Sequence, residues 1–193
     1  MRKIAAFDFD GTLTSSDSFI ALLNYAFGWR AVAVSLLRFA PLIVLMKLHL
    51  YANQRAKERM FTYFFAGMPL TAFDALCLNF ASGSRHLLRP EAVEAVEQAQ
   101  AEGAEVVIVS ASMPNWVQPF FPTVRVIGTQ VEVSDGLLTG RFATANCYGQ
   151  EKVNRLVAVY PQREQYHLTA YGDSRGDREL LRFADESHYK PFR

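Results

Sequence analysis

The apolar positions at the start of the chain, in "KIAAFDF" at residues 3–9, have no helical spacing and run up to Gly11, the pattern of a short strand buried on both faces of a parallel sheet. The next comparable run is "EVVIV" at 105–109. Roughly 95 residues lie between the two, whereas a strand–helix–strand unit needs only about 30 or somewhat more, so an insertion of roughly 60 residues separates them. Residues 17–82 supply it. They are rich in Leu, Phe and Ala, lack strand alternation, and are punctuated by Gly28, Pro41 and "GMPLT" at 67–71, which predicts a small helical subdomain. In "NQRAKERMFTYFFAG", Met60, Phe61, Phe64 and Phe65 share one helical face while Arg55 and Arg59 share another, and a further helix begins at Thr71.

Beyond the insertion, "RPEAVEAVEQAQAEG" carries Pro90 in the first turn, acidic residues early and Gly103 just past the end, matched start and stop signals for a helix. It leads into the strand at 105. "VRVIG" predicts another strand, "TQVEVSDGLLTGRF" a hairpin turning at Asp135-Gly136, and that hairpin at 129–142 offers an interface. "EKVNRLVAVY" predicts a helix stopped by Pro161, "LTAYGD" a strand, "RGDRELLRFA" a helix and "HYKPF" a last edge strand. Strands alternating with helices imply an α/β fold with a doubly wound parallel sheet. The core is expected over 1–14 and 83–193, with the helical insertion over 15–82.

Composition narrows the class. Half of the 193 residues are hydrophobic and a fifth are charged, which excludes a disordered chain, and the net charge of +1 says little about partners. Its distribution says more: from Ser18 to Lys57 there is no Asp or Glu, while Arg30, Arg38, Lys47, Arg55 and Lys57 are all basic. Something anionic is expected to meet that region. The segment 31–50 has the length of a membrane span, but Arg38, Pro41 and Lys47 interrupt it, so it is read as helical and not spanning. Two readings stay open for residues 29–50: a core helix pair, or an interfacial anchor on an anionic membrane surface with Trp29 at headgroup depth. Cys77 and Cys147 form no disulfide or zinc pattern and fit a reducing cytosol. Asp8 interrupts the apolar start too early for a signal peptide, so the expected place is the cytoplasm, or the inner face of its membrane as a peripheral protein. No nucleic-acid partner is expected, and the oligomeric state is left open. The His residues at 49, 86, 167 and 188 have no ligand spacing and are expected to be structural or exposed.

The candidate chemistry sits at strand ends, where open parallel sheets bind ligands. Asp8 and Asp10 follow the first strand, Ser110 the second, Asp173 and Asp177 the strand "LTAYG", and Lys152 opens the helix after Gly149. Each alone has a plain structural reading as a polar turn, a helix cap or a solvated face. Carboxylates gathered from separate strands repel unless a cation lies among them, and an all-oxygen cluster selects a hard ion such as Mg²⁺.

Those residues carry a resemblance. "DFDGTLT", the Ser of "VIVSAS", the Lys of "GQEKV" and "GDSRGD" are similar to the four ordered motifs of the haloacid dehalogenase superfamily phosphatases. The helical cap between the first two motifs resembles the branch that includes phosphoserine phosphatases. Within it, the basic hydrophobic cap with "NCYGQEKV" and "GDSRGDREL" looks most like phosphatidylglycerophosphatase C and its relatives. The resemblance implies a Mg²⁺-dependent phosphomonoester hydrolase with Asp8 as nucleophile and Asp10 as acid and base. It casts Asp8, the Asp10 backbone carbonyl and Asp173 as holding the metal. Ser110, Ala111 and Gly11 would grip the phosphoryl oxygens, with Thr12 bracing the loop. Lys152 would neutralise charge, and Asp177 with Ser174 would support it. Arg55 and Arg59 are expected to meet a second phosphate, the alternative being that they keep the helix soluble. Asp17 stands where phosphoserine phosphatases have a Glu for the substrate amine, and a helix-cap role is the alternative. The substrates implied are a phospholipid headgroup phosphate such as phosphatidylglycerophosphate, or alternatively a soluble metabolite such as phosphoserine. An inactive membrane-associated binding protein of the same fold is the remaining alternative.

Overall fold

The computed structural model describes residues 1–47 and 53–193. The last three residues of the expected 29–50 segment, His49 among them, lie outside the described residues. Five parallel strands make the central sheet in the order β3-β2-β1-β6-β7: β1 (Arg2–Phe7), β2 (Glu105–Ser110), β3 (Arg125–Gly128), β6 (Tyr166–Gly172) and β7 (Glu186–Tyr189). The two remaining strands among the described residues, β4 (Val131–Ser134) and β5 (Leu137–Phe142), pair antiparallel in a hairpin.

Strand periodicity divides the core between the two faces of the sheet. Ala5, Phe7, Val106 and Ile108 point to the face shared with α3 (Leu70–Gly83), α4 (Pro90–Ala101) and α5 (Pro114–Val117). Ile4, Ala6, Val107, Val109, Leu168 and Ala170 point to the other, covered by α6 (Gln150–Val159) and α7 (Arg178–Phe183). Burial on both faces explains why these strands read as unbroken apolar runs. β1 lies between β2 and β6, so its C-terminal end, where Asp8 follows, is flanked by the ends of both neighbours.

Between β1 and β2 lie α1 (Ser18–Lys47), α2 (Asn53–Phe65) and α3, forming the helical cap. Gly28, at φ 79°, kinks α1 by taking a backbone conformation that side chains disfavour. Phe19, Leu22 and Leu23 before the kink join the core, whereas only Val32 and Ser35 are buried in the first turns after it.

The hairpin belongs to the cap. The turn at Asp135-Gly136 has positive φ at both positions, as a two-residue hairpin loop requires. The α2–α3 loop then pairs with β5: Gly67 N donates to Leu138 O at 2.8 Å and Leu138 N to Met68 O at 2.9 Å. One strand of the 129–142 hairpin is thus committed within the chain, because β5 hydrogen-bonds its own cap. The last strand also differs from expectation. It starts at Glu186, two residues before "HYKPF", because its pairing with β6 runs from Thr169↔Glu186 to Gly172↔Tyr189 and Lys190 then turns away at φ 55°.

Candidate active site

The turn after β1 determines the geometry. Gly11 takes φ 84°, and a Cβ there would lie 2.6 Å from Asp173 Oδ2, so only glycine lets the turn press against the end of β6. Thr14 N closes the turn on Phe9 O at 3.0 Å, and Thr12 Oγ1 donates to Asp8 Oδ2 at 3.1 Å.

Lys152 is the centre of the site and is 1% exposed. Its Nζ donates to Asp8 Oδ1, Asp177 Oδ1 and Val109 O, each at 2.6 Å, which uses all three ammonium protons. Burial opposes that charge, yet the Asp8 and Asp177 carboxylates outweigh it and its pKa lies above the usual lysine value. Asp177 is saturated. Its Oδ2 accepts from Asp173 N at 3.2 Å, Ser174 N at 2.9 Å and Ser174 Oγ at 2.8 Å. Burial works against its ionised form, but Lys152 and these donors hold it below the ordinary aspartate value. Asp8 has the opposite balance: burial pushes it up to about 7 despite Lys152, with Asp177 and Asp10 adding repulsion.

Carboxylate oxygens of Asp8, Asp173 and Asp177 lie within 4.8 Å of one another, and all three residues are buried. Asp173 Oδ1 is buried without a hydrogen-bond donor, while its Oδ2 pairs with the Arg193 guanidinium. Because Asp177 is committed to Lys152 and to backbone amides, Asp8 and Asp173 are the side chains with acceptor capacity left for a cation. An all-oxygen set with an orphaned buried acceptor fits a hard divalent ion.

A cavity of about 330 Å³ opens from this cluster beneath the cap. Asp8, Asp10, Ser110, Ala111, Lys152, Ser174 and Asp177 contribute its polar end, while Ile20, Leu36, Phe39, Leu42 and Met60 line it on the cap side. Ser110 is fully buried at the end of β2, its Oγ accepting from Ser112 N at 3.0 Å. Asp10 is held by Ser18 N at 2.7 Å and by the Ser112 hydroxyl, which ties it to the start of α1. Asp17 accepts from Ile20 N at 3.0 Å, which is the helix-cap alternative, and it also lines the cavity.

Arg55 and Arg59 do not line the cavity; both are exposed. Lys57 lies there instead, because a residue two positions away on a helix projects from the opposite side. Lys57 Nζ donates to Ala111 O at 2.9 Å and sits about 6 Å from the rings of Phe19 and Trp116. Burial lowers its pKa, with Asp10, Asp17 and Asp8 opposing that shift. Asn146 and Tyr148 also line the cavity and were not expected from sequence. Tyr148 lies so close to Gly176 that a Cβ there would be 2.4 Å from its ring. The only sequence signal for Asn146 and Tyr148 is their place just before the Gly149 turn that opens the Lys152 helix.

A buried lysine between two aspartates, beside an orphaned carboxylate oxygen and hydroxyl groups, can bind and polarise an anionic oxygen-rich group. Residues 5–182 match the haloacid dehalogenase-like hydrolase family. The protein CicA of Caulobacter vibrioides is 37% identical over 198 residues, covering 98% of this chain and 86% of that protein. A Bordetella pertussis protein of unknown function superposes with a TM-score of 0.83 at 23% identity, over 97% of this chain and 89% of that one. A phospho-aspartyl intermediate analogue of phosphoserine phosphatase superposes with a TM-score of 0.64 at 15% identity, over 96% and 85% of the two chains. With nearly the whole chain matched and the acidic strand ends gathered at one cavity, this protein belongs to the haloacid dehalogenase-like hydrolases.

Proposed function

We propose that the chain is a magnesium-dependent phosphomonoester hydrolase that forms an aspartyl-phosphate on Asp8, and that its substrate is a lipid headgroup phosphate such as phosphatidylglycerophosphate. The observation that carries the catalytic reading is the buried Asp8–Lys152–Asp177 chain beside the unpartnered Asp173 oxygen. Asp8, Asp173 and the Asp10 carbonyl would hold the Mg²⁺, which when bound offsets phosphate and carboxylate charge so that the two can approach.

The Asp8 carboxylate attacks phosphorus, the bond from phosphorus to the ester oxygen breaks, and Asp10 gives its proton to the departing oxygen. Asp10 then takes a proton from water as the water oxygen attacks the same phosphorus. The bond from phosphorus to the Asp8 oxygen breaks, and inorganic phosphate leaves with Asp8 restored. Ser110 and the Ala111 amide hold the phosphoryl oxygens and the Lys152 charge balances theirs, with Thr12 bracing the loop and Asp177 and Ser174 fixing Lys152. Gly11 shapes the turn, its amide donating to Thr14 Oγ1 at 3.2 Å instead of facing the cavity as the sequence suggested. Only the leaving group enters the cap side of the cavity, where Leu36, Phe39 and Leu42 favour an apolar neighbour.

A second reading has its own observation: Asp17 and Lys57 bring opposite charges to the cavity, which suits a small zwitterionic leaving group such as that of phosphoserine. Hydrolysis rates with Mg²⁺ on an aryl phosphate, phosphoserine and a lipid phosphate in mixed micelles test the assignment. Preference for the lipid phosphate supports it, and fast turnover of phosphoserine without detergent supports the second reading. No turnover on any ester would leave a binding protein of this fold.

A further inference from the structure

Past the Gly28 kink, α1 presents an outward face that is the inverse of a solvated one. At about 100° per residue, Trp29, Val34, Leu37, Val44 and Leu45 fall on one half of the helix, with Arg30 and Arg38 as its charged members. Leu37 is 77% exposed, Trp29 70%, Val34 59% and Val44 54%. An outer helix face in water is normally polar, and a contiguous apolar patch marks a surface that meets something else.

Two observations identify what it meets. First, the charge is of one sign: no acidic residue occurs from Ser18 to Lys57. Arg30 lies 5.5 Å over the Trp29 ring and Arg38 lies 5.7 Å over Tyr63 of α2. Tyr63 continues the i,i+4 row of Arg55 and Arg59, both exposed, so the two arginines that miss the cavity extend the basic rim of this surface. Second, Leu36, Phe39 and Leu42 on the adjoining side of the same helix line the cavity, so the surface is continuous with the site's apolar wall.

We propose that this face of α1, with the rim from Arg38 to Arg55, docks on the surface of a bilayer containing anionic phospholipid and lies in the interface without crossing it. Trp29, Val34, Leu37 and Val44 enter the acyl boundary, and the arginines stay at headgroup depth. Phe19, Leu22 and Leu23 fix the first half of α1 in the protein core, and Arg30, Arg38 and Lys47 interrupt the apolar run of the second half, which favours lying on a bilayer over crossing it. Docking in this way goes beyond the catalytic reading, since it needs no turnover.

Flotation of the full chain with vesicles tests it. Roughly one-third phosphatidylglycerol in phosphatidylcholine should carry the protein upward, and phosphatidylcholine alone should carry much less. Leu37→Glu with Val44→Glu should lower the bound fraction about tenfold, while Arg30→Glu with Arg38→Glu should abolish the preference for anionic vesicles. Neither pair should change hydrolysis of a soluble aryl phosphate, which also reports that the variants fold. Failure to float with either vesicle, or flotation of the Leu37/Val44 variant equal to the unmodified protein, overturns the proposal. So does a dimer in sedimentation that this variant dissociates when no vesicle binding is seen. Loss of turnover with flotation intact would instead count against the catalytic reading alone.

Discussion

The sheet end and the outer half of α1 invert the usual distribution of side chains in opposite ways. At the sheet end, Lys152, Asp8 and Asp177 are buried; on α1, Leu37 and Trp29 face outward. A fold selected for stability alone would exchange them, since buried charges are costly and exposed apolar side chains forgo burial. The sheet end tolerates its charges because nearly every polar atom has a partner, and one of those that do not, Asp173 Oδ1, lies where a cation fits. No protein partner of that kind covers the α1 face among the described residues. The first inversion is resolved inside the molecule and points to chemistry, while the second points outward to a surface.

The comparison breaks most visibly at Asp8. Asp8→Asn should reduce Mg²⁺-dependent hydrolysis of an aryl phosphate by at least roughly a thousandfold, and retained activity would remove the aspartyl-phosphate route. The same change should flatten the pH dependence of the metal-free protein's stability. Asp8 titrates at about 7 in the folded state against an ordinary 3.8, so its ionised form costs native stability as pH rises through that window. Melting temperatures of the unmodified metal-free protein should fall more steeply between about pH 4 and pH 7 than those of Asp8→Asn, and equal slopes would remove Asp8 as the titrating group.

Lys152→Met comes next. It leaves two buried carboxylates facing each other and should destabilise the fold by roughly 3–5 kcal/mol in urea denaturation. A smaller loss would mean that the site repacks or hydrates. Asp173→Asn should raise the Mg²⁺ concentration needed for half-maximal activity by about tenfold or more, and chelator should abolish activity that added Mg²⁺ restores. Lys57→Met should raise KM about tenfold with a smaller change in kcat, whereas Arg55→Ala and Arg59→Ala should leave both unchanged on a soluble ester. An equal effect from all three would place the arginines in the site after all. The smallest effect is expected for Arg193→Ala. Its guanidinium pairs with Asp173, so its removal should lower the half-activating Mg²⁺ concentration by about threefold, in a titration of activity against metal.

Which of these residues can be read in advance depends on the range over which each is determined. Asp8, Ser110, Asp173 and Lys152 each follow a local signal, an apolar run ending at a turn or a glycine opening a helix, so their approach to one cavity follows from strand order. Lys57 carries no such mark. Its helix is legible as an apolar face opposite Arg55 and Arg59, but which flank of that helix covers the cavity depends on how β5 and the α2–α3 loop dock. Asn146, Tyr148 and Arg193 are likewise brought in by packing between segments distant in sequence.

Periodicity and turn chemistry alone determine the alternating strands and helices, the acidic strand ends, the Asp135-Gly136 hairpin and the acid-free stretch of the cap. These depend on neighbours within a few residues, where backbone sterics and side-chain spacing act directly. The tertiary structure decides that the hairpin pairs with the cap, that Asp177 is saturated while Asp173 keeps a free oxygen, that Lys57 faces the cavity and that the outer side of α1 remains uncovered. Each is a matter of which surfaces meet, and burial and charge pairing acquire their strength only after those surfaces have met.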